Sequence, residues 1–241
     1  MKITVLGSGS GRGDAMRNAS AYWLESREAT WLIDAGDGVL KQVLSLKLDL
    51  HRLDGVLITH THPDHVSGLF FLLQAIKLAG RSRPLEIHMP APALAVWPEM
   101  LRWFQLNPAS WPFTIKTEAL YSGIVVKRSD LQFTALANTH LPKDGSSPQS
   151  FSLRMDENSG GRLLYSSDVA DLAHLHGAAN GVTLFLSEAA HVAPETALSF
   201  ARQHNIKQLV YTHISTSFPL LPAHDAAVEI ITAHDGVCLS C

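Results

Sequence analysis

Apolar positions along the chain fall into short runs broken by glycine and proline. Residues 3–6, 21–25 and 30–33 read as strands, and Gly36, Asp37 and Gly38 then punctuate before a helical spacing over 39–48. The near-continuous apolar run 55–59 predicts a buried strand, followed by a polar cluster and a helix over 64–79. Four prolines, at 84, 90, 92 and 98, mark a looser middle with a strand at 85–89 and a helix at 93–105. A strand-rich block follows at 114–118, 124–126, 131–137, 151–154 and 162–165. The last third alternates: strand 183–186, helix 195–204, strand 208–212, helix 224–234. Pro194 sits in a first-turn position and Gly236 is placed to end the final helix. Strand blocks in both halves, each followed by helices, predict an α/β protein. Two sheets would pack face to face with helices outside, as one domain over residues 1–241.

Composition narrows this picture. With 241 residues, 46% hydrophobic and 17% charged, the chain is too apolar for disorder and too regular for a fibre. A net charge of −3 removes the simplest nucleic-acid argument, a strongly basic face. No apolar run approaches the ~18 residues of a membrane span. The first strand enters a glycine turn too early for a signal peptide. Cys238 and Cys241 then read as ordinary thiols of a reducing compartment, which predicts a cytoplasmic protein with no membrane partner. The informative excess is histidine, thirteen in all.

The loop from Gly7 to Gly13 follows a strand and invites a dinucleotide reading. Its glycines are misplaced for that fingerprint: the third position holds Arg12 or Asp14, and no helix follows. A tight loop lining a site is the better use. The segment Thr59-His60-Thr61-His62-Pro63-Asp64-His65 carries the chemistry. In an extended run His60 and His62 project to one side; Pro63 stops the extension, and Asp64 and His65 enter the first turn of a helix facing a second position. Imidazole and carboxylate suit zinc, iron and manganese, and four such groups in six residues can serve two ions. The bland alternative is a histidine-rich surface loop.

This segment resembles the signature of the metallo-β-lactamase superfamily, whose αβ/βα four-layer sandwich carries a dinuclear metal site between two mixed sheets. The resemblance extends to other strand ends: Asp34 matches the aspartate that holds the histidine loop, His140 the third histidine, Asp168 the bridging aspartate and His213 the last histidine. It implies two divalent ions per chain, zinc first, with manganese or iron as substitutes. One would take His60, His62 and His140; the other Asp64, His65 and His213; Asp168 would bridge them. The superfamily's β-lactamases usually place cysteine at the bridging position, so Asp168 points to phosphodiester or thioester hydrolysis instead. His191, after the acidic-Ala segment ending at Ala190, is similar to the non-ligand histidine of the ribonuclease Z and cyclic phosphodiesterase branches, which assists the leaving group.

The expected function is a dinuclear metal-dependent phosphodiesterase, with a metal-bridging hydroxide attacking a small-molecule or short nucleic-acid diester. Asp64 and His191 would be its catalytic side chains. The alternatives are a tRNA 3′-processing endonuclease, a thioester, lactone or sulfate-ester hydrolase, and a non-catalytic binding protein on the same fold. Only 27 residues separate His140 from Asp168, too few for the long tRNA-gripping arm of ribonuclease Z. The resemblance also implies a homodimer. Trp97, Trp103 and Trp111 would either wall a base-stacking pocket or, as aromatics at helical spacing more often do, fill a core. The polar loop 141–149 is placed to border the site. His51, His88, His174, His176, His204, His224 and His234 match nothing and read as surface or packing residues.

Overall fold

In a computed structural model describing residues 1–215 and 221–241, the chain begins with strands β1 (Lys2–Gly7), β2 (Ala21–Glu25) and β3 (Thr30–Ile33). It continues through α1 (Val39–Ser45), β4 (Gly55–Leu57), α2 (Pro63–Val66), α3 (Leu69–Leu78), β5 (Leu85–Pro90), α4 (Ala91–Trp103) and β6 (Ile115–Leu120). The second half carries β7 (Gly123–Lys127), β8 (Leu131–Ala137), β9 (Phe151–Glu157), β10 (Arg162–Tyr165), β11 (Leu184–Glu188), α5 (Pro194–Gln203), β12 (Gln208–Thr212), β13 (Glu229–Thr232) and β14 (Cys238–Ser240). One seven-stranded sheet runs β14-β1-β2-β3-β4-β5-β6 and the other β13-β12-β11-β10-β9-β8-β7. Each is mixed: parallel over β3 to β6 and over β10 to β13, antiparallel elsewhere.

Strand alternation builds three cores. Inward side chains such as Ile3, Val5, Tyr22, Leu24, Phe133, Leu153 and Tyr165 fill the space between the sheets. Their outward neighbours meet helices: Leu6, Trp23 and Leu32 pack under α1, α3 and α4, while Leu164, Phe185 and Leu209 pack under α5. The layers are therefore helix, sheet, sheet, helix, as the resemblance implies. The site-bearing residues all emerge where strands end on one side of this sandwich, outside the carboxyl ends of β3, β4, β8, β10, β11 and β12, where open α/β sheets place their ligands.

One element differs outright. Residues 224–234 do not form a helix; Glu229–Thr232 is a strand, paired parallel to β12 with Gln208 opposite Glu229 and Tyr211 opposite Thr232. Isoleucines at 230 and 231 favour a pleated surface, and the open edge of β12 supplies the hydrogen bonds a short isolated helix would lack. Gly236, at φ 91°, turns the chain from β13 into β14 rather than ending a helix. The predicted helix over 64–79 is interrupted between α2 and α3. A Cβ on Gly68 would meet the Gly36 carbonyl oxygen at 2.3 Å, so only glycine lets the two segments touch. Trp97 and Trp111 belong to the core beneath α4, whereas Trp103 is 80% exposed, so the three do not form one wall. Trp97 also edges an apolar recess of about 310 Å³ between Phe70, Met89 and Thr61.

Candidate metal centre

The histidine segment owes its position to Asp34. This carboxylate, fully buried just past β3, accepts from Thr59 N (2.7 Å), Thr59 Oγ1 (2.9 Å), His65 Nδ1 (2.8 Å) and Tyr165 Oη (3.1 Å). Four bonds from two sheets lock the loop after β4. Because Asp34 engages His65 at Nδ1, its Nε2 is left facing the site, the arrangement that fixes a ligating imidazole. Asp34, Ser167 and His213 all have left-handed backbones, at φ 56°, 53° and 52°. At three separate strand ends the chain turns sharply, a cost of order 1–3 kcal/mol each that folds tolerate where a site must be aimed.

All seven sequence-predicted donors converge. His60 Nε2 and His140 Nε2 lie 3.2 and 3.1 Å from His62 Nδ1, and 3.8 and 3.7 Å from Asp168 Oδ2. On the other side His65 Nε2 is 3.6 Å from Asp64 Oδ2 and 3.2 Å from Asp168 Oδ1, and His213 Nε2 is 3.7 Å from Asp64 Oδ2 and 3.3 Å from Asp168 Oδ2. Two donor groups result, His60–His62–His140–Asp168 and Asp64–His65–Asp168–His213, sharing Asp168. Four ligands ~2.0–2.1 Å from a tetrahedral ion stand about 3.3 Å from one another, which is the spacing seen here. His65 Nε2 and Asp168 Oδ1 are buried without a hydrogen-bonding partner, although they face each other. Orphaned donors at the middle of a polar cluster fit divalent cations, which the fold family implies.

The electrostatics agree. Burial pushes His60 well below the ordinary imidazole range, with the charge of His65 adding to it; burial likewise lowers His140 and brings His213 down to about 4. Those rings are neutral near pH 7, the form that ligates metal. Burial opposes the charge on Asp168 and on His65, but it is outweighed. His65 and His213 hold Asp168 well below the usual carboxylate range, and Asp168 and Asp34 hold His65 well above the usual imidazole range.

His191 stands at the rim, its side chain 41% exposed, with Nδ1 3.4 Å from Glu188 Oε2 and 3.9 Å from Asp168 Oδ2. The hydrogen bond to Glu188 raises its pKa, burial working the other way. Glu188 is itself fully buried and accepts from the backbone N–H groups of His191 (2.8 Å) and Val192 (3.0 Å). It shapes the turn after β11 and orients the ring in one stroke. The sequence reading did not single out Glu188 as a site residue. It also missed Ser20, whose hydroxyl meets His213 Nδ1 at 2.9 Å, and Tyr165. Neither has a local signal: Ser20 lies 193 positions from His213, and only the folded sheets bring them together.

A cleft of about 320 Å³ opens onto the donors, walled by Asp64, Asp168, His191 and His213 and by Ser10, Gly11 and Arg12 of the N-terminal glycine loop. That loop lines the site, as its glycine spacing predicts, and is stitched to the residue after His213: Ile214 N donates to Ser8 O (2.8 Å) and Ser10 N to Ile214 O (3.2 Å). His174 bonds Ser152, and His176 bonds His204; none of the three histidines belongs to either donor group. His88 packs edge-on against Trp31.

Comparison with known proteins bears on the family. A model of the beta-lactamase superfamily domain matches residues 30–214. The ribonuclease Z of Archaeoglobus fulgidus is 32% identical over 143 residues, covering 59% of this chain and 45% of that protein, so the match spans less than half of the relative's length. Among solved structures, the short form of human tRNase Z superposes with a TM-score of 0.79 at 23% identity, covering 100% of this chain and 99% of that one. A diphosphatase of the PhnP family gives 0.73 at 19%, covering 99% and 96%. The helix–sheet–sheet–helix layering, the paired donor groups sharing Asp168 and the match over most of the chain agree, and the protein belongs to the β-lactamase superfamily.

Proposed function

We propose that the chain is a dinuclear metal-dependent phosphodiesterase. The observation that supports this most is Asp168, whose two oxygens face both donor groups at once. His60, His62 and His140 would hold one ion, Asp64, His65 and His213 the other, and Asp168 both. Zinc suits this mixture of imidazole and carboxylate best, with manganese or iron as alternatives. Bound there, two divalent ions supply Lewis acidity and bring the pKa of a shared water toward neutrality. The protein does the rest. Asp64, partly exposed at the cleft, orients the attacking water, and His191, held at Nδ1 by Glu188, presents Nε2 as proton donor to the leaving oxygen.

Neighbours called ribonuclease Z, tRNase Z and diphosphatase favour phosphoester chemistry. A small or short diester suits this chain better than tRNA. Between His140 and Asp168 the chain is used up by a loop and the β9–β10 hairpin, which leaves no projecting arm among the described residues. No helix among them is long and apolar enough to cross a membrane. The reading extends to residues 1–241 acting as one unit in the cytoplasm.

The test is a panel on metal-loaded protein: bis-p-nitrophenyl phosphate, cyclic nucleotides, cyclic ribose phosphates, pre-tRNA, a thioester, a lactone and a sulfate ester. Hydrolysis of the diesters above all others is expected. Pre-tRNA cleavage near the diffusional ceiling of ~10⁸ M⁻¹s⁻¹ would move the assignment to tRNA processing, and turnover of only thioester, lactone or sulfate would overturn it. Within the diesters, His191→Ala is expected to cost ~10²–10⁴-fold on alkyl or nucleoside leaving groups and far less on p-nitrophenolate, which departs unaided. Equal losses on both would show that His191 only positions substrate.

A further inference from the structure

Three of the donor imidazoles lead back, through hydrogen bonds, to the single carboxylate of Asp34. His65 reaches it directly, Nδ1 to Oδ2 at 2.8 Å. His60 turns Nε2 toward His62 and Asp168 and Nδ1 toward Thr59 Oγ1 (3.2 Å), and that hydroxyl donates to Asp34 Oδ2 (2.9 Å). His213 takes a longer route through the space between the sheets. Its Nε2 faces Asp64 and Asp168, and its Nδ1 meets Ser20 Oγ at 2.9 Å. Ser20 and Tyr165 both make side-chain hydrogen bonds with Tyr22, and Tyr165 Oη donates to Asp34 Oδ2 at 3.1 Å. The two phenol rings lie 4.9 Å apart, and Tyr22 Oη also bonds Thr212 Oγ1 at 2.8 Å. Every residue on these routes is at most 2% exposed. Each polar hydrogen on them must therefore find its acceptor inside the protein.

We infer that Asp34 is the common anchor that places the ring proton of His60, His65 and His213 on Nδ1, with Thr59, Ser20, Tyr22 and Tyr165 as the positioning residues that carry its effect. The donor directions follow from the two ends of each route. A carboxylate offers only acceptors, so Thr59 and Tyr165 spend their protons on Asp34. Tyr165 then has none left for Tyr22. Tyr22 accordingly donates to Tyr165, Ser20 to Tyr22, and His213 Nδ1–H to Ser20; on the short route His60 Nδ1–H donates to Thr59. Each ring is left with a bare Nε2 aimed at the donors, the lone pair that a divalent ion takes. One carboxylate thereby serves both donor groups, His60 in the first and His65 and His213 in the second. The consequence for metal affinity rests on the dinuclear reading, whereas the proton placement is a property of the chain itself.

Nitrogen-15 histidine spectra of the metal-free full chain test the proton placement, and zinc competition against a chromophoric chelator tests its consequence. The wild type should show exchange-protected Nδ1–H signals for His60, His65 and His213. Ser20→Ala should abolish the His213 signal and weaken one of the two zinc ions ~10–100-fold, the usual cost of losing a ligand's outer partner. Tyr22→Phe leaves Ser20 in place, so its effect reads the chain beyond it. The same ion should weaken by roughly 3–10-fold, the worth of one hydrogen bond. Thr59→Val should do to His60 and the other ion what Ser20→Ala does to His213, and Thr59→Ser, which restores the hydroxyl, should return both to wild type. A His60 or His213 proton on Nε2 in the wild type overturns the inference. So does wild-type affinity at both zinc sites in Ser20→Ala and Thr59→Val, and unchanged affinity in Tyr22→Phe removes Asp34 as the anchor of His213. The three Nδ1–H signals, responding to the variants as described in a chain that takes up no zinc, would leave the proton placement standing and remove the dinuclear reading.

Discussion

Asp168→Ala is expected to lower diester hydrolysis by at least about a thousandfold, more than any other single change in the cleft, since both water activation and metal geometry depend on it. The side chain is almost wholly buried, and it touches both donor groups: Oδ2 faces His60, His140 and His213 within 3.8 Å, and Oδ1 faces His65 at 3.2 Å. Removing it takes a ligand from each ion. It also leaves His65 with Asp34 as its remaining close-range counter-charge apart from Asp64 at 3.6 Å. Asp64→Ala removes a ligand from one donor group only and should cost a smaller factor, though still above about a hundredfold. Steady-state kinetics with metal content measured on the same samples checks the ordering. Near-normal turnover by Asp168→Ala at full metal content would show that the ligand map is wrong.

The second large effect is on stability. Asp34→Ala is expected to destabilise the metal-free protein by about 3–5 kcal/mol, as does breaking a buried charged network by deleting one partner. Four donors lose their acceptor together: Thr59 N, Thr59 Oγ1, His65 Nδ1 and Tyr165 Oη. Each buried unsatisfied group costs roughly 1–3 kcal/mol, and the sum is not additive because the loop can relax. Against typical margins of ~5–15 kcal/mol that is a large fraction. Urea unfolding in the presence of chelator measures it apart from metal linkage. Tyr165→Phe, which removes one donor of the four, should cost only about 1 kcal/mol. An unchanged urea midpoint for Asp34→Ala would mean that the hydrogen bonds to Asp34 carry no net stability.

How far the sequence could be read follows from which interactions are local. The histidine segment is legible because the strand 55–57, Pro63 and the first turn of α2 are neighbours in the chain, so spacing alone orients His60, His62, Asp64 and His65. His140, Asp168 and His213 are found only because each follows an apolar strand, and the resemblance says what should stand there. Glu188, Ser20 and Tyr165 stay hidden, since their partners are set by how the two sheets face each other. The same holds for β13: residues 229–232 carry helical and strand signals alike, and the free edge of β12 decides between them. Gly68 looks like an ordinary helix glycine until the Gly36 carbonyl is seen pressed against it. Tertiary contact, rather than local propensity, determines each of these.

The central claim, two ions held by seven side chains around Asp168, is tested most directly by elemental analysis of protein purified without chelators. Two divalent ions per chain, zinc foremost, are predicted, with a raised melting temperature in the loaded form because the donors come from distant strands. In Asp168→Ala the content should fall below one. A wild-type chain that carries no metal, and takes up none on reconstitution with zinc, manganese or iron, would contradict the account.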